Sequence, residues 1–360
     1  MIDGRSAPPT ISELLLGNAT AIDLRSPGEF QRSRAPHSIN LPLLTDAERA
    51  RVGVTFKQQG PQAAIRVGKQ LVAGEVRRSR VDGWLQLVAS LPNPVLMCWR
   101  GGLRSSTVAR WLMDAGWSAP VLAGGYKAVR QHCLALLESF ARKAPIVLIG
   151  GRTGTGKTEV LTQLSAAIDL EGIAQHRGSA FGQVVATQPT PPSFENALAA
   201  AWLEQQHATH VFLEDEGRTI GRLGLPVDWF AAMQRAPIVL LEASLEERVT
   251  RIRKEYIDRP SQAGQSAHEL ERRFTDALHR IERRLGGLRH RKLLTELHDG
   301  FQSGDHDRWI TSLLAQYYDP SYDYQLAHKQ ERIVFTGNAR EVIAYAGQMR
   351  LSGPSAFEEG

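Results

Sequence analysis

Cys98 ends an apolar run and opens a glycine-bearing loop in "PVLMCWRGGLRSSTVARWL" (94–112), and it is one of two cysteines in 360 residues. A thiol where a strand passes into a helix can receive loop N–H groups and the positive potential of the helix start. Both favour thiolate, the form that does nucleophilic sulfur chemistry. Arg100 and Arg104 supply cations for an incoming anion, with Gly101, Gly102 and Leu103 between them; the glycines let the loop turn without a Cβ clash. Cys133, within the helical "AVRQHCLALLESFARK", reads instead as a small buried hydrophobe.

A second anion loop follows. "GRTGTGKT" (151–158) satisfies G-x-x-x-x-G-K-[ST] between a strand at Ile146–Ile149 and a helix bearing Val160, Leu161 and Leu164. Backbone N–H groups of Gly151, Arg152, Thr153, Gly154, Thr155 and Gly156 would cradle a diphosphate, and Lys157 would offset its charge. Thr158 could reach a magnesium ion, with Asp215 as the carboxylate partner and Glu214 and Glu216 as alternatives. The motif names a diphosphate but not its bearer; ATP is the default. "LEGIAQHRGSAFGQ" (170–183) offers His176, Arg177 and Ser179 as a candidate substrate loop.

Positioning two such loops takes alternating strands and helices. Strands are expected at 20–24, 38–41 and 94–98, and a fourth in "SAPVLAGGYKAV" before the Gly124-Gly125 turn, with a helical insertion over about 45–91. A boundary near Lys143–Pro145 precedes new strands in "PIVLIGG", "ATHVFLEDE" (208–216) and "RAPIVLLEAS" (235–244). The alternation predicts an α/β chain with parallel sheets in two consecutive domains, 1–140 and 141–360. Helical, basic sequence is expected over 245–315, and the tail "YYDPSYDYQLAHK" reads as an extended closing segment.

The composition, 42% hydrophobic and 22% charged, is that of a globular protein. No apolar run is long enough for a membrane span, and the start does not read as a signal peptide. Two cysteines cannot make a disulfide framework, which points to a reducing cytoplasm. The net charge is +5, yet Arg248–Lys292 alone holds 13 Lys/Arg against 6 Asp/Glu, leaving the remainder slightly acidic. A basic segment on an acidic chain suggests a polyanion partner. Leu270, Phe274, Leu278, Ile281 and Leu285 fall at helical spacing, which places Arg272, Arg273, Arg280, Arg283 and Arg284 on the outer face.

Over about residues 10–135 the chain resembles the rhodanese domain, through "IDLRSPGEF" with Asp23 and Arg25, "HSINLP", the Cys98 loop and "VLAGGYKA". In that family the loop cysteine carries sulfur as a persulfide. Here five residues separate Cys98 from Arg104 rather than the usual four, the spacing of phosphatases with a cysteine nucleophile, so a phosphatase stays open as an alternative. Met97 replaces the histidine common before that nucleophile, and no general-acid aspartate is apparent near the loop.

With "CWRGGLRS", "GRTGTGKTE", "EGIAQHRGSAFG" and "FLEDEGRTIG" together, the chain resembles the tRNA 2-selenouridine synthase family. The resemblance implies that selenium from selenophosphate replaces the sulfur of 2-thiouridine at the wobble position of tRNA, and that geranyl diphosphate supplies a geranyl group to that sulfur. It implies Cys98 as the catalytic residue, selenophosphate at Arg100–Arg104, and no covalently bound cofactor; because neither step obviously consumes ATP, Gly151–Thr158 is expected to bind the diphosphate of geranyl diphosphate, with a nucleotide as the alternative. The arginines at 272–284 would hold the tRNA through its phosphates. Tyr317, Tyr318, Tyr322 or Tyr324 could stack on an anticodon base, although core packing accounts for most of them as well. Two other readings are a P-loop kinase or ATPase with a regulatory rhodanese-like domain, and a non-catalytic RNA-binding protein. Oligomeric state is left open.

Overall fold

The computed structural model describes residues 8–176 and 187–349. The chain forms two compact units, Met1–Phe140 with Pro189–Gln206, and Ala141–Gln188 with His207–Gly360. The division is therefore not consecutive as expected: the helix Pro191–Gln205 returns to the first unit. It does so because Asn196, fully buried, donates to the Tyr126 hydroxyl at 3.0 Å and to the Arg34 carbonyl at 2.9 Å.

The first unit is built on three parallel strands, β1 (Thr20–Asp23), β2 (Ser38–Asn40) and β3 (Pro94–Met97), in the order β2-β1-β3. The expected fourth strand shrinks to a single bridge, Leu96 to Val121, since the chain turns at Gly124-Gly125 directly afterwards. The helical insertion is present as Asp46–Leu71, opened by a Thr45 capping box, and Gly74–Val88. Its first helix kinks at Gly60 (φ 82°), directly before Pro61. Trp84, Val88 and Val72 pack it onto Ile22, Leu96 and Val108 of the sheet and its helix.

The second unit has five parallel strands. They are β4 (Ile146–Gly150), β5 (Ala167–Ile168), β6 (Val211–Glu214), β9 (Ile238–Leu241) and β10 (Ile333–Gly337), in the order β10-β9-β4-β6-β5, while β7 (Thr219–Ile220) and β8 (Leu223–Gly224) pair as a separate hairpin. Buried on both faces, the central strands read as continuous apolar runs. The helix Ala267–Leu285 buries Leu270, Phe274, Leu278, Ile281 and Leu285 against Leu293, Leu297 and Trp309, as the periodicity predicts.

The tail is not extended. Leu314–Tyr318 is a π-helical turn that runs into the helix Asp319–Ala327, and Lys254–Asp258 repeats the pattern before Arg259–Gln262. Each π turn ends two residues before a proline, Pro260 or Pro320, which has no N–H for the ladder and crowds the carbonyl four residues back. Widening the turn keeps the chain helical through that gap. Among the described residues no helix is long and apolar enough to cross a membrane.

Candidate active site

In the first unit β3 delivers Cys98 to the loop that ends at Gly102, where the helix Leu103–Asp114 begins. Cys98 is 3% exposed. Burial pushes its thiol up, but the Ser105 hydroxyl, the N–H groups of Ser105 and Arg100, and the charge of Arg104 outweigh burial and lower it. The Ser105 side chain is fully buried in the first turn of the helix Leu103–Asp114, directly after the loop. At Cys133 burial outweighs the nearby Arg130 charge, and the thiol is pushed up to about 12.

The loop rests on the start of the helix Gly125–Lys143, where the Tyr126 N–H donates to the Cys98 carbonyl at 2.8 Å and the Lys127 N–H to that of Trp99 at 3.0 Å. Gly101 (φ 65°) is needed there, because a Cβ would lie 2.5 Å from the Leu122 carbonyl oxygen. Gly102 is not equivalent: its φ is −97° and a Cβ would meet open space, contrary to the shared role expected of the pair. Below the loop Asp23 and Arg25 form a buried ion pair of 2.6 Å, with the guanidinium 3.8 Å from the Tyr126 ring centroid. These two residues of the "IDLR" motif thus act as a support for the loop.

Arg100 is exposed, while Arg104 is held by Glu29 at 2.7 Å. Burial raises the Glu29 carboxyl, but the hydrogen bond and charge of Arg104, the Ser26 N–H and Arg49 override it and hold it at about 2. Arg104 is therefore oriented by a carboxylate that stays ionised.

In the second unit β4 runs into Gly151–Thr158, and the helix Lys157–Leu161 follows from Gly156 (φ 90°). The Lys157 ammonium donates to the Gly151 carbonyl at 2.9 Å. Two arginines from the helix Leu245–Arg253 hold the loop from outside, Arg248 on the Thr153 carbonyl at 2.8 Å and Arg251 on that of Gly154 at 2.6 Å. At Gly154 (φ 84°) a Cβ would come within 2.9 Å of Ile252. Arg152 points to Asp323 at 2.7 Å.

The three acidic residues after β6 differ. Glu214 is fully buried, accepts from the Leu170 N–H at 2.9 Å, and is raised well above the carboxylate range by burial and by Asp169 and Glu171. Asp215, the expected magnesium partner, is committed to Lys329 at 2.7 Å. Glu216 feels the opposing pulls of burial and Glu171 upward and Lys157 downward, and lies at about 7. The charge of the phosphate-loop lysine thus acts on the Glu216 carboxyl.

A family profile described as "tRNA 2-selenouridine synthase AAA domain" matches residues 144–352. The chain is 44% identical over 351 residues to the tRNA 2-selenouridine synthase of Pseudomonas syringae pv. tomato, covering 93% of this chain and 96% of the relative. It is 43% identical to that of Aeromonas salmonicida, over 95% and 96% of the two chains. It is 41% identical to that of Shewanella oneidensis, over 91% of each. The chain belongs to the tRNA 2-selenouridine synthase family.

Within this member of the family, the basic segment divides in two. Arg248, Arg251 and Arg253 are bound to Asp319, Glu159 and Asp307, so part of the positive excess is already paired, Arg248 alone of the three being buried. Arg272, Arg280, Arg283 and Arg284 are exposed on the helix Ala267–Leu285. Arg273 is not on the outer face as expected: it is half-buried, lies 4.9 Å from the Phe274 ring centroid and donates to the Tyr256 carbonyl at 3.3 Å. Tyr317 and Tyr318 pack on the helical core, whereas Tyr324 is 71% exposed. His176 is half-buried; Arg177 and Ser179 lie outside the described residues. Glu29, Ser105, Arg248, Arg251 and Lys329 escaped the sequence reading. The arginines alone carried a signal, their spacing of three on a helix, and it read as surface.

Proposed function

We propose that this chain replaces the sulfur of 2-thiouridine at the tRNA wobble position with selenium, in two steps run by its two loops. The observation that carries the reading is a buried cysteine whose thiol is lowered by a loop built to hold an anion. In the first step the nucleoside sulfur attacks the first carbon of geranyl diphosphate. The carbon–oxygen bond breaks, and diphosphate leaves with the proton released from N3. Gly151–Thr158 binds that diphosphate through its N–H groups and Lys157. Thr158 and Glu216 are the residues that would hold a magnesium ion, which would offset the diphosphate charge.

Alkylation turns a poor leaving group into a good one. In the second step selenium from selenophosphate adds at C2, the C–S bond breaks and geranyl thiol departs. Water takes the phosphoryl group as phosphate and supplies the protons for the thiol and for N3. Arg100, Arg104 and the amides of Gly101–Leu103 hold the selenophosphate, and Cys98 accepts or positions its selenium. The exposed arginines at 272, 280, 283 and 284 hold the tRNA, with Arg273 ordering their helix, and the sequence around His176, Arg177 and Ser179 supplies a substrate loop. The setting is a reducing cytoplasm, which keeps Cys98 free.

Nucleoside mass spectrometry on 2-thiouridine tRNA tests this, with geranyl diphosphate alone and with selenophosphate added. Cys98→Ala should retain geranylation and lose selenation, and Lys157→Ala should lose geranylation at least a hundredfold. Absence of any modified nucleoside from the native chain, or ATP hydrolysis in step with turnover, would overturn the reading.

A further inference from the structure

Beside the Cys98 loop the first unit holds a cleft of about 1280 Å³; Arg104 at its edge serves the second step, but none of the steps above occupies its apolar wall. The helix Asp46–Leu71 lines it with Val52, Val54, Phe56 and Ile65, and the loop adds Trp99 and Leu103. Four of these are left open to water, Val54 at 53%, Phe56 at 56%, Trp99 at 43% and Leu103 at 57% exposure. Large apolar side chains gathered in a concavity and left solvated mark a ligand site.

The charges say which kind of ligand. Lys57 and Lys69 stand among the apolar residues, with Arg49 and Arg130 paired to Glu29 and Glu195, and Glu29 is the sole carboxylate of the described lining. A cleft of that make-up suits a flexible hydrocarbon chain attached to a polyanion. The hollow beside the phosphate loop differs: it is smaller, about 590 Å³, and carries Glu242, Glu247 and Glu341.

We infer that the cleft receives the ten-carbon chain of the S-geranylated nucleoside, with the surrounding cations on the flanking RNA phosphates. This rests on the two-step reading and adds the place where its intermediate is recognised. Trp99 and Leu103 belong to both the cleft and the cysteine loop, so a chain seated there brings the alkylated C2 to the loop that delivers selenium. The cleft then selects alkylated over unalkylated nucleoside before the second step.

The test is fluorescence anisotropy of the full chain with an anticodon stem-loop RNA carrying either S-geranyl-2-thiouridine or 2-thiouridine. The native protein should bind the geranylated RNA at least tenfold more tightly. Phe56→Ser and Val54→Ser, both at exposed positions and neither changing the charge, should each abolish that preference and leave binding of the unalkylated RNA as it was. Equal binding of the two RNAs by the native chain, or a preference that survives both substitutions, would overturn the proposal. A preference lost on substitution in a protein that forms no selenouridine would sustain the cleft and sink the two-step reading, so the two failures are told apart.

Discussion

A thiol removed from water ordinarily resists ionisation, because burial disfavours the charged form. Cys98 shows the opposite balance only because donors converge on it. Ser105 is central, since it brings a hydroxyl and an N–H from the first turn of one helix. A hydrogen bond to an ion contributes about 1.5–3 kcal/mol. Ser105→Ala should therefore slow iodoacetamide alkylation of Cys98 at pH 7 by at least about fivefold and move its pH midpoint upward. Cys133 should stay unlabelled in the folded chain. Mass mapping of the labelled cysteine checks both. At this scale the sequence disclosed the nucleophile and the arginines beside it, because glycine, cysteine and arginine at loop spacing form a local signal. Ser105 and Glu29 stayed hidden, the one as an ordinary helix residue and the other as an ordinary surface acid.

Between elements, Glu29 joins three helices: its own, Pro27–Arg32, that of Arg104, Leu103–Asp114, and that of Arg49, Asp46–Leu71. Its carboxyl lies at about 2 in the folded chain against an ordinary 4.5. The stability it contributes is complete above about pH 4.5 and is lost as the pH falls through 2. Glu29→Gln should cost about 1–3 kcal/mol at pH 7, and the deficit should shrink below pH 4.5. Urea unfolding across that range measures it. Legibility at this level followed periodicity. Strands with long apolar runs and the amphipathic helix Ala267–Leu285 were readable, because burial on one or both faces imprints a pattern. The segment 317–329 was not, since its proline and tyrosines mimic an extended tail while a π turn keeps it helical. The edge strand β10, with its alternating burial, also passed unseen.

For the whole chain, charge alone overstated the polyanion surface. Arg248 is 2% exposed and tied to Asp319 and to the phosphate loop, whereas Arg280, Arg283 and Arg284 face solvent. Each lost phosphate contact should lower the slope of log K against log salt by about 0.7–0.9. Replacing those three by alanine should lower the slope for tRNA binding by about 2, and Arg248→Ala should leave it unchanged while weakening the fold. Filter binding between 50 and 300 mM salt, ranges at which the effect is large, separates the two. The helix Pro191–Gln205, meanwhile, sets a clock on synthesis. A nascent chain at residue 140 has every strand of its first sheet, yet the Tyr126 hydroxyl lacks Asn196 and the Ser139 hydroxyl lacks the Trp202 indole. The ribosome must lay down the phosphate loop before the cysteine unit can close, so the part translated first is not the part completed first.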